Sequence, residues 1–477
     1  MRFFTVALLA LTAGRLVLAA VTPLSPDEAY YWIWSHALAW GFYDHPPMVA
    51  LWIRAGTYLC GDTALGVRLL APLSMMLASI ALAHAGAVLT GDRARGVMAA
   101  VLLNATLAFG IGAVSMTPDT PLLFFWILGI AALARFLTSG NGAWFLAVGV
   151  CVGLALASKY TALFLGAAVL VWLLTVPSLR VYLRWPWPWL GALIALAIFA
   201  PVILWNAKHD WASFIKQGGR VAEFRPDNAL FNLLEFIAGQ IIMLTPLIFT
   251  LFCAGTVVAM RHFRLTRDPA LALLLLLSLL PLPVLLEHML ADRVQANWPV
   301  ILYPSAMLLA VMAWPRLHRP AVLLGLALIT PVYLHATWPV LPIPPKLDPS
   351  MKRLAGWAAF AADLDTTRRA TGGSFIAADN YATAAILAWH LPRDVVILGA
   401  HPRWAYFTLP HPDFIDQSGL LVRSTRVAEP PDPAPWGTLA AYTTAERQRS
   451  GIVAETYRLY RVTASAPNSR LVTLPRP

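Results

Sequence analysis

Ser25-Pro-Asp-Glu-Ala-Tyr-Tyr-Trp-Ile-Trp-Ser-His36 follows directly on the apolar run 3–22, and the junction between them decides how the chain is read. A run of about 20 apolar residues crosses the hydrocarbon of a bilayer as a helix. Asp27 and Glu28 then stand at the water interface, with Tyr and Trp behind them at headgroup level. The N-terminus has the basic start and small-residue end of a signal peptide. Arg15 interrupts its apolar core, however, and further apolar runs follow, which favours a retained first span. An arginine at that depth needs a partner or a wet cavity.

Outward from that junction, apolar segments recur at 63–89, 94–114, 120–137, 143–158, 160–176, 187–205, 229–254, 269–287, 298–314 and 320–338. With 3–22 they make about eleven spans, of which 143–158 and 160–176 are short. Composition agrees: 59% of the 477 residues are hydrophobic and 12% charged, against about 25% charged in soluble domains. The formal charge of +11 does not point to nucleic acid, because the arginines fall in short gaps between apolar runs. Cys60, Cys151 and Cys253 form no metal, redox or disulfide pattern and read as packing residues.

With a cytoplasmic N-terminus, four of the five inner loops are basic: Arg93 and Arg95; Arg180 and Arg184; Arg261, Arg264 and Arg267; Arg316 and Arg319. The same parity puts the loops 23–62, 115–119, 206–228 and 287–297 outside, together with everything beyond about residue 340. The outer loop 206–228 carries Lys208, Lys216, Arg220 and Arg225, against the usual bias, and Lys159 also falls at an outer end. Either these loops translocate whatever their charge, or the cations gather to hold phosphate.

Trp338-Pro-Val-Leu-Pro-Ile-Pro-Pro-Lys346 is a stiff, extended linker. Beyond it the chain reads as a helix at 350–370, strands at 375–378, 395–398 and 420–423, a helix at 380–390, and one or two strands within 437–463. The expected fold is thus an all-α polytopic membrane protein over 1–340, with a C-terminal extracytoplasmic α/β domain over 341–477. That domain shows no phosphate loop or metal spacing, so covering a site or selecting an acceptor suits it better than chemistry.

Two acidic positions stand at outer tips. Asp27 and Glu28 read as a helix start capped by Ser25, as proton-accepting carboxylates, or as both, since a cap also fixes a carboxylate in place. Asp119, in Thr117-Pro-Asp-Thr120, reads equally as ordinary turn chemistry. Asp44-His45 precede Pro46-Pro47, which impose an extended turn. His36, His45, Asp44 and Glu28 are metal-ligating types, but their spacing fits no known pattern, so no cofactor is expected.

These strings together resemble the C-type (GT-C) glycosyltransferase superfamily. The resemblance rests on Ser25–Trp32, Tyr43-Asp-His-Pro-Pro47, Thr117-Pro-Asp119 and Ala157-Ser-Lys-Tyr-Thr161. It is nearest the family 39-like bacterial enzymes related to the protein O-mannosyltransferases and the lipid A aminoarabinose transferase. Trp205-Asn-Ala-Lys-His209, Ala296-Asn-Trp-Pro299 and Asp379-Asn-Tyr381 extend it along essentially the whole chain.

The resemblance implies an inverting glycosyltransferase of the bacterial inner membrane. Its donor would be a polyprenyl-phosphate-linked sugar, and its acceptor a membrane lipid or envelope glycan, or a protein. Asp27 would be the catalytic carboxylate, with Asp119 assisting and Glu28 in support. Lys159 would contact the donor phosphate, helped by Lys208, Lys216, Arg220, Arg225 or Arg293. Tyr30, Tyr43, Asp44, His45 and Tyr160 would position substrate. Relatives often carry Glu-Lys before the paired prolines where this chain has Asp44-His45, so substrate specificity does not carry over. A flippase of lipid-linked sugars and a non-catalytic scaffold are the rival readings; the chain lacks the internal repeats common in transporters.

Overall fold

Apolar runs become helices because hydrocarbon offers the backbone no hydrogen-bond partners except its own. A computed structural model describes residues 2–218, 228–290, 292–411, 416–464 and 471–476. Among these, seven helices are long and apolar enough to cross a membrane: Arg2–Val21, Ala64–Thr90, Asp119–Ser139, Pro186–Lys208, Pro246–Thr266, Pro269–Met289 and Pro315–Thr337. An eighth is made if Tyr160–Thr175 and Pro177–Arg184, bent by 109°, count as one span. The protein is a multi-pass membrane protein.

Several expected spans are not continuous helices of membrane length, and the causes are local. The run 94–114 breaks between Asn104 and Leu107, where Thr106 leaves the helix and caps the next one by accepting from the Phe109 amide at 3.3 Å. The run 229–254 breaks at Thr245, whose φ of 73° precedes Pro246. Trp144–Leu156 and Trp298–Ala310 are short apolar helices. Conversely, the loop expected at 23–62 contains the helices Pro26–His36 and Met48–Cys60.

The chain forms two compact units: Met1–Ala19, Trp40–Val49 and Arg68–Tyr333 make the first, and Ala20–Ala39, Ala50–Val67 and Leu334–Pro477 the second. In the first, Trp144–Leu156 and Pro186–Lys208 pack closely side by side. A Cβ on Gly149 would lie 2.1 Å from the Gly191 carbonyl oxygen, so only glycine permits this approach. Arg15 is 1% exposed and finds its partners within this unit. It donates to Asn104 Oδ1 at 2.7 Å and Tyr333 Oη at 3.3 Å, beside the Phe109 ring. The three cysteines are free thiols.

In the second unit the strands are β1 (Phe375–Ala378), β2 (Val396–Gly399), β3 (Ser418–Ser424), β4 (Trp436–Arg449), β5 (Ile452–Ala464) and β6 (Val472–Thr473), in the order β4-β5-β3-β1-β2-β6. β1 is parallel to β2 and β3, and the remaining pairs are antiparallel. All four β1 residues are buried, as a central parallel strand requires. The helices Trp357–Ala370 and Tyr381–His390 complete an α/β fold.

Candidate active site

In the first unit, the turn at 41–47 is closed by the Phe42 amide donating to the His45 carbonyl at 3.2 Å. It is tied to the 157–159 loop by the Met48 amide donating to the Ala157 carbonyl at 3.0 Å. Gly41 lies against the Trp205 indole, where a Cβ would meet ring carbon at 2.7 Å. Trp205 in turn stacks on His209 at 4.1 Å between centroids. The turn is thereby seated between the end of one helix and the start of a loop, and Asp44 is 9% exposed.

Two carboxylate–lysine pairs meet around that turn. Lys216 donates to the Asp44 carboxylate and lies 4.3 Å above the centre of the Tyr43 ring. Gln217 Nε2 donates to the Asp44 carbonyl at 2.7 Å. Lys159 Nζ donates to Asp119 Oδ1 at 2.7 Å, and Asn297 Nδ2 to Asp119 Oδ2 at 2.8 Å. The loop carrying Asn297 is held by Gln240, which donates to the Ala296 carbonyl at 3.2 Å and accepts from Tyr303 Oη at 2.6 Å. Tyr160 Oη pairs with Ser213 Oγ at 2.8 Å and accepts from Asn206 Nδ2 at 3.4 Å.

His45 lies outside the spanning helices and within the field of both pairs. Burial pushes its imidazole down to about 4. Lys159 adds to that, Asp44 and Asp119 oppose it, and Lys216 lowers it further. At neutral pH the ring is uncharged, and each lysine is balanced by one carboxylate. An ammonium has three donors, and Lys159 places one of them on Asp119.

The shift has a stability consequence. The unfolded chain takes up this proton near pH 6.5 and the native chain only near pH 4. The unfolded state therefore binds more protons between those values, and stability falls as pH falls through that window. His45→Gln is expected to flatten this loss in detergent thermal midpoints measured from pH 7 to pH 4. The same acid slope in both proteins would refute it.

In the second unit, Ser25 caps the helix Pro26–His36 and forms a capping box with Glu28. Glu28 Oε2 accepts from the Ser25 amide at 3.0 Å, and the Glu28 amide donates to Ser25 Oγ at 3.3 Å. Glu28 is 2% exposed, so its place is the cap and not open chemistry. Asp27 is the open carboxylate: its side chain is 44% exposed, and Arg353 Nη1 donates to its Oδ2 at 3.2 Å. Tyr30, expected to touch substrate, is instead 2% exposed, with its ring 4.6 Å from Tyr381 and 5.4 Å from Trp404. An apolar ring face in this position is best satisfied by packing. The string Asp379-Asn-Tyr381 is thereby explained: Asp379 pairs with Arg423, Asn380 caps the following helix, and Tyr381 packs on Tyr30.

The remaining expected cations differ in setting. Arg293 is engaged by Glu235 through two contacts, one of them Nε to Oε2 at 2.6 Å, so its charge is already matched. Lys208 is exposed at the end of the helix Pro186–Lys208. Arg220 and Arg225 lie outside the described residues. Of the metal-ligating types, His36 bonds Asp62 at 2.9 Å in the second unit, where Trp32 Nε1 also donates to Asp62 at 2.6 Å. Among the described residues, no group of three or more His, Cys, Asp and Glu side chains could hold a metal ion.

Sequence reasoning missed Asn297, Asn206, Ser213, Gln217 and Arg353 as site neighbours. Asn297 and Asn206 lay inside strings already singled out, Ala296–Pro299 and Trp205–His209. Ser213, Gln217 and Arg353 carried no motif signal.

Likenesses to known proteins follow the same lines. The family model described as dolichyl-phosphate-mannose-protein mannosyltransferase matches residues 44–205, which include the Asp44, Asp119 and Lys159 positions. A lipid A galacturonosyltransferase of Rhizobium johnstonii, RgtD, is 31% identical over 381 residues, covering 76% of this chain and 77% of that protein. The fold is similar to crystal structures of ArnT from Cupriavidus metallidurans. The form bound to undecaprenyl phosphate has a TM-score of 0.63 at 16% identity, over 96% of this chain and 97% of that one. The apo form gives 0.61 at the same identity and coverage. A relative matched over three-quarters of both chains, on a fold shared almost end to end, places this chain in the C-type glycosyltransferase superfamily: it belongs with the family 39-like membrane glycosyltransferases.

Proposed function

We propose that the protein moves one monosaccharide from a polyprenyl-phosphate donor to lipid A, or to a related envelope glycan, on the periplasmic face of the inner membrane. The observation that carries this reading is the pair of lysines, Lys159 and Lys216, held on Asp119 and Asp44 around an uncharged His45. A departing phosphate needs fixed positive charge, and lysine ammoniums held in place by carboxylates supply it.

The step is a single displacement. Asp27 accepts the proton of the acceptor hydroxyl as that oxygen bonds to the anomeric carbon. The bond from that carbon to the phosphate oxygen breaks, and polyprenyl phosphate leaves with the electron pair. Attack opposite the leaving group inverts the anomeric configuration. Asp119 holds Lys159 in place and orients the acceptor side, while Tyr43 and Tyr160 shape the surroundings of the two pairs.

The similarity to a lipid A galacturonosyltransferase makes a galacturonosyl donor and a lipid A acceptor the first substrates to test. The basic inner loops support a periplasmic site. Purified protein in proteoliposomes, given radiolabelled undecaprenyl-phosphate galacturonate and lipid A, is expected to label lipid A and release undecaprenyl phosphate in equal amount. Passage of the intact donor across the bilayer with no labelled acceptor would overturn the reading in favour of a flippase.

A further inference from the structure

We propose that Arg353, in the segment after the last membrane helix, is a positioning residue for Asp27 and brings the C-terminal region into the chemistry. The inference rests on the reading of Asp27 as the proton acceptor, and it concerns only contacts within the second unit.

Arg353 closes the five-residue helix Pro349–Arg353. So short a helix has almost no stability of its own, yet side chains from elsewhere fix this one at both ends. At its start, Asp348 is 2% exposed and accepts from the Ser350 amide at 2.7 Å, from Arg449 at 3.3 Å and from His335 Nε2 at 3.1 Å. At its end stands Arg447 of β4, which is fully buried. It donates to the Met351 carbonyl at 3.1 Å, the Lys352 carbonyl at 3.0 Å and the Ala355 carbonyl at 2.5 Å. Its guanidinium also lies 4.4 Å from the centre of the Trp357 ring. Trp357 Nε1 donates in turn to the Arg353 carbonyl at 3.0 Å.

The backbone of Arg353 is therefore held rigidly, while its side chain is 67% exposed and directed to Asp27 Oδ2 at 3.2 Å. An ion pair this exposed contributes little to stability, so the Arg353–Asp27 contact itself has little structural purpose, whereas Arg447, which also pairs with Glu455 at 3.3 Å, holds the turn. Orientation explains the exposed contact. Asp27 sits in the first turn of a helix whose cap uses Ser25 and Glu28. Those two set its backbone, and Arg353 sets the direction of its carboxylate. One oxygen is held by Arg353, and the carboxylate is presented in a fixed rotamer for the acceptor hydroxyl. Misplacement of a reacting group by about 1 Å can cost on the order of 100-fold in rate.

The test is steady-state transfer by full-length Arg353→Ala, Arg353→Gln and Arg353→Lys, each with and without Asp27→Asn. Arg353→Ala and Arg353→Gln are expected to lower kcat by about 10- to 100-fold with the KM for donor and acceptor near wild type. The contact is through a single nitrogen, so Lys can make it, and Arg353→Lys is expected to recover most of the rate. In the Asp27→Asn background, Arg353→Ala should add no further loss, because the two residues act as one unit. If Arg353→Ala folds poorly, the comparison of Lys with Gln decides. Equal rates for those two, or a raised KM at unchanged kcat, would overturn the inference while leaving Asp27 as the base. Wild-type transfer by Asp27→Asn alone would instead overturn the reading on which the inference rests.

Discussion

Asp27→Asn is expected to lower sugar transfer by about 100- to 10,000-fold, the range that a positioned proton acceptor contributes. The substitution is nearly isosteric. An Asn carbonyl oxygen can still accept from Arg353 Nη1, which sits 3.2 Å from Asp27 Oδ2. What is lost is the negative charge and the capacity to take a proton as the acceptor oxygen attacks. The adjacent Glu28→Gln is the internal control. Glu28 is buried in the capping box, and Gln completes the same box by accepting from the Ser25 amide. That variant should stay within a few-fold of wild type, whereas Glu28→Ala should cost about 1 kcal/mol of stability through the weakened cap. Initial rates of label transfer to lipid A in proteoliposomes measure both. Equal losses at Asp27 and Glu28 would mean that the whole helix start matters and that Asp27 has no distinct chemical role.

How much of this was legible in the sequence depends on the range of the interaction. In the C-terminal region the local patterns located most elements, but the single helix expected over 350–370 is broken before Trp357 by Gly356, whose φ is 74°, and β6 carried no signal. The run Phe375–Ala378 is β1, Asn380 caps the helix Tyr381–His390, and the alternation in 437–463 resolves into β4 and β5. In the membrane region, length and apolarity located the helical runs but concealed their breaks. Thr106 and Thr245 are inconspicuous to hydropathy, yet one serves as a cap and the other adopts a positive φ. The site divides in the same way. Asp119 and Lys159 stood out because each lies at the tip of a span and belongs to a recognised string. The Asp44–Lys216 pair joins residues 172 positions apart, and no local pattern links them. Arg293 read as a spare cation because its partner, Glu235, is hidden in an apolar helix. Arg353 lay in a region that looked remote from chemistry, and only tertiary contacts bring it to Asp27.

Lys159→Met should produce the second large loss, about 100- to 1,000-fold in kcat/KM for the donor, the scale set by removing one fixed donor from a developing anion. Lys159 is 12% exposed at its side chain and Asp119 15%, so the ammonium acts in a setting that screens it poorly. The difficulty is that the substitution does two things at once. It removes a cation from the proposed phosphate site, and it strips Asp119 of one of its two partners, leaving Asn297 alone on a mostly buried carboxylate. Uncompensated buried charge is destabilising by up to about 3 kcal/mol at this degree of burial, and a misfolded site would also be inactive. The double variant Lys159→Met/Asp119→Asn separates the two effects. If Lys159 served only to neutralise Asp119, removing both charges would restore transfer along with the thermal midpoint. If Lys159 holds the phosphate, the midpoint recovers and the rate does not. Asp119→Asn alone keeps the lysine and frees its charge, so the donor KM should hold or fall even if the acceptor is oriented less well. Phosphate binding therefore predicts recovered stability without recovered transfer in the double variant, and transfer returning with stability would assign Lys159 to structure.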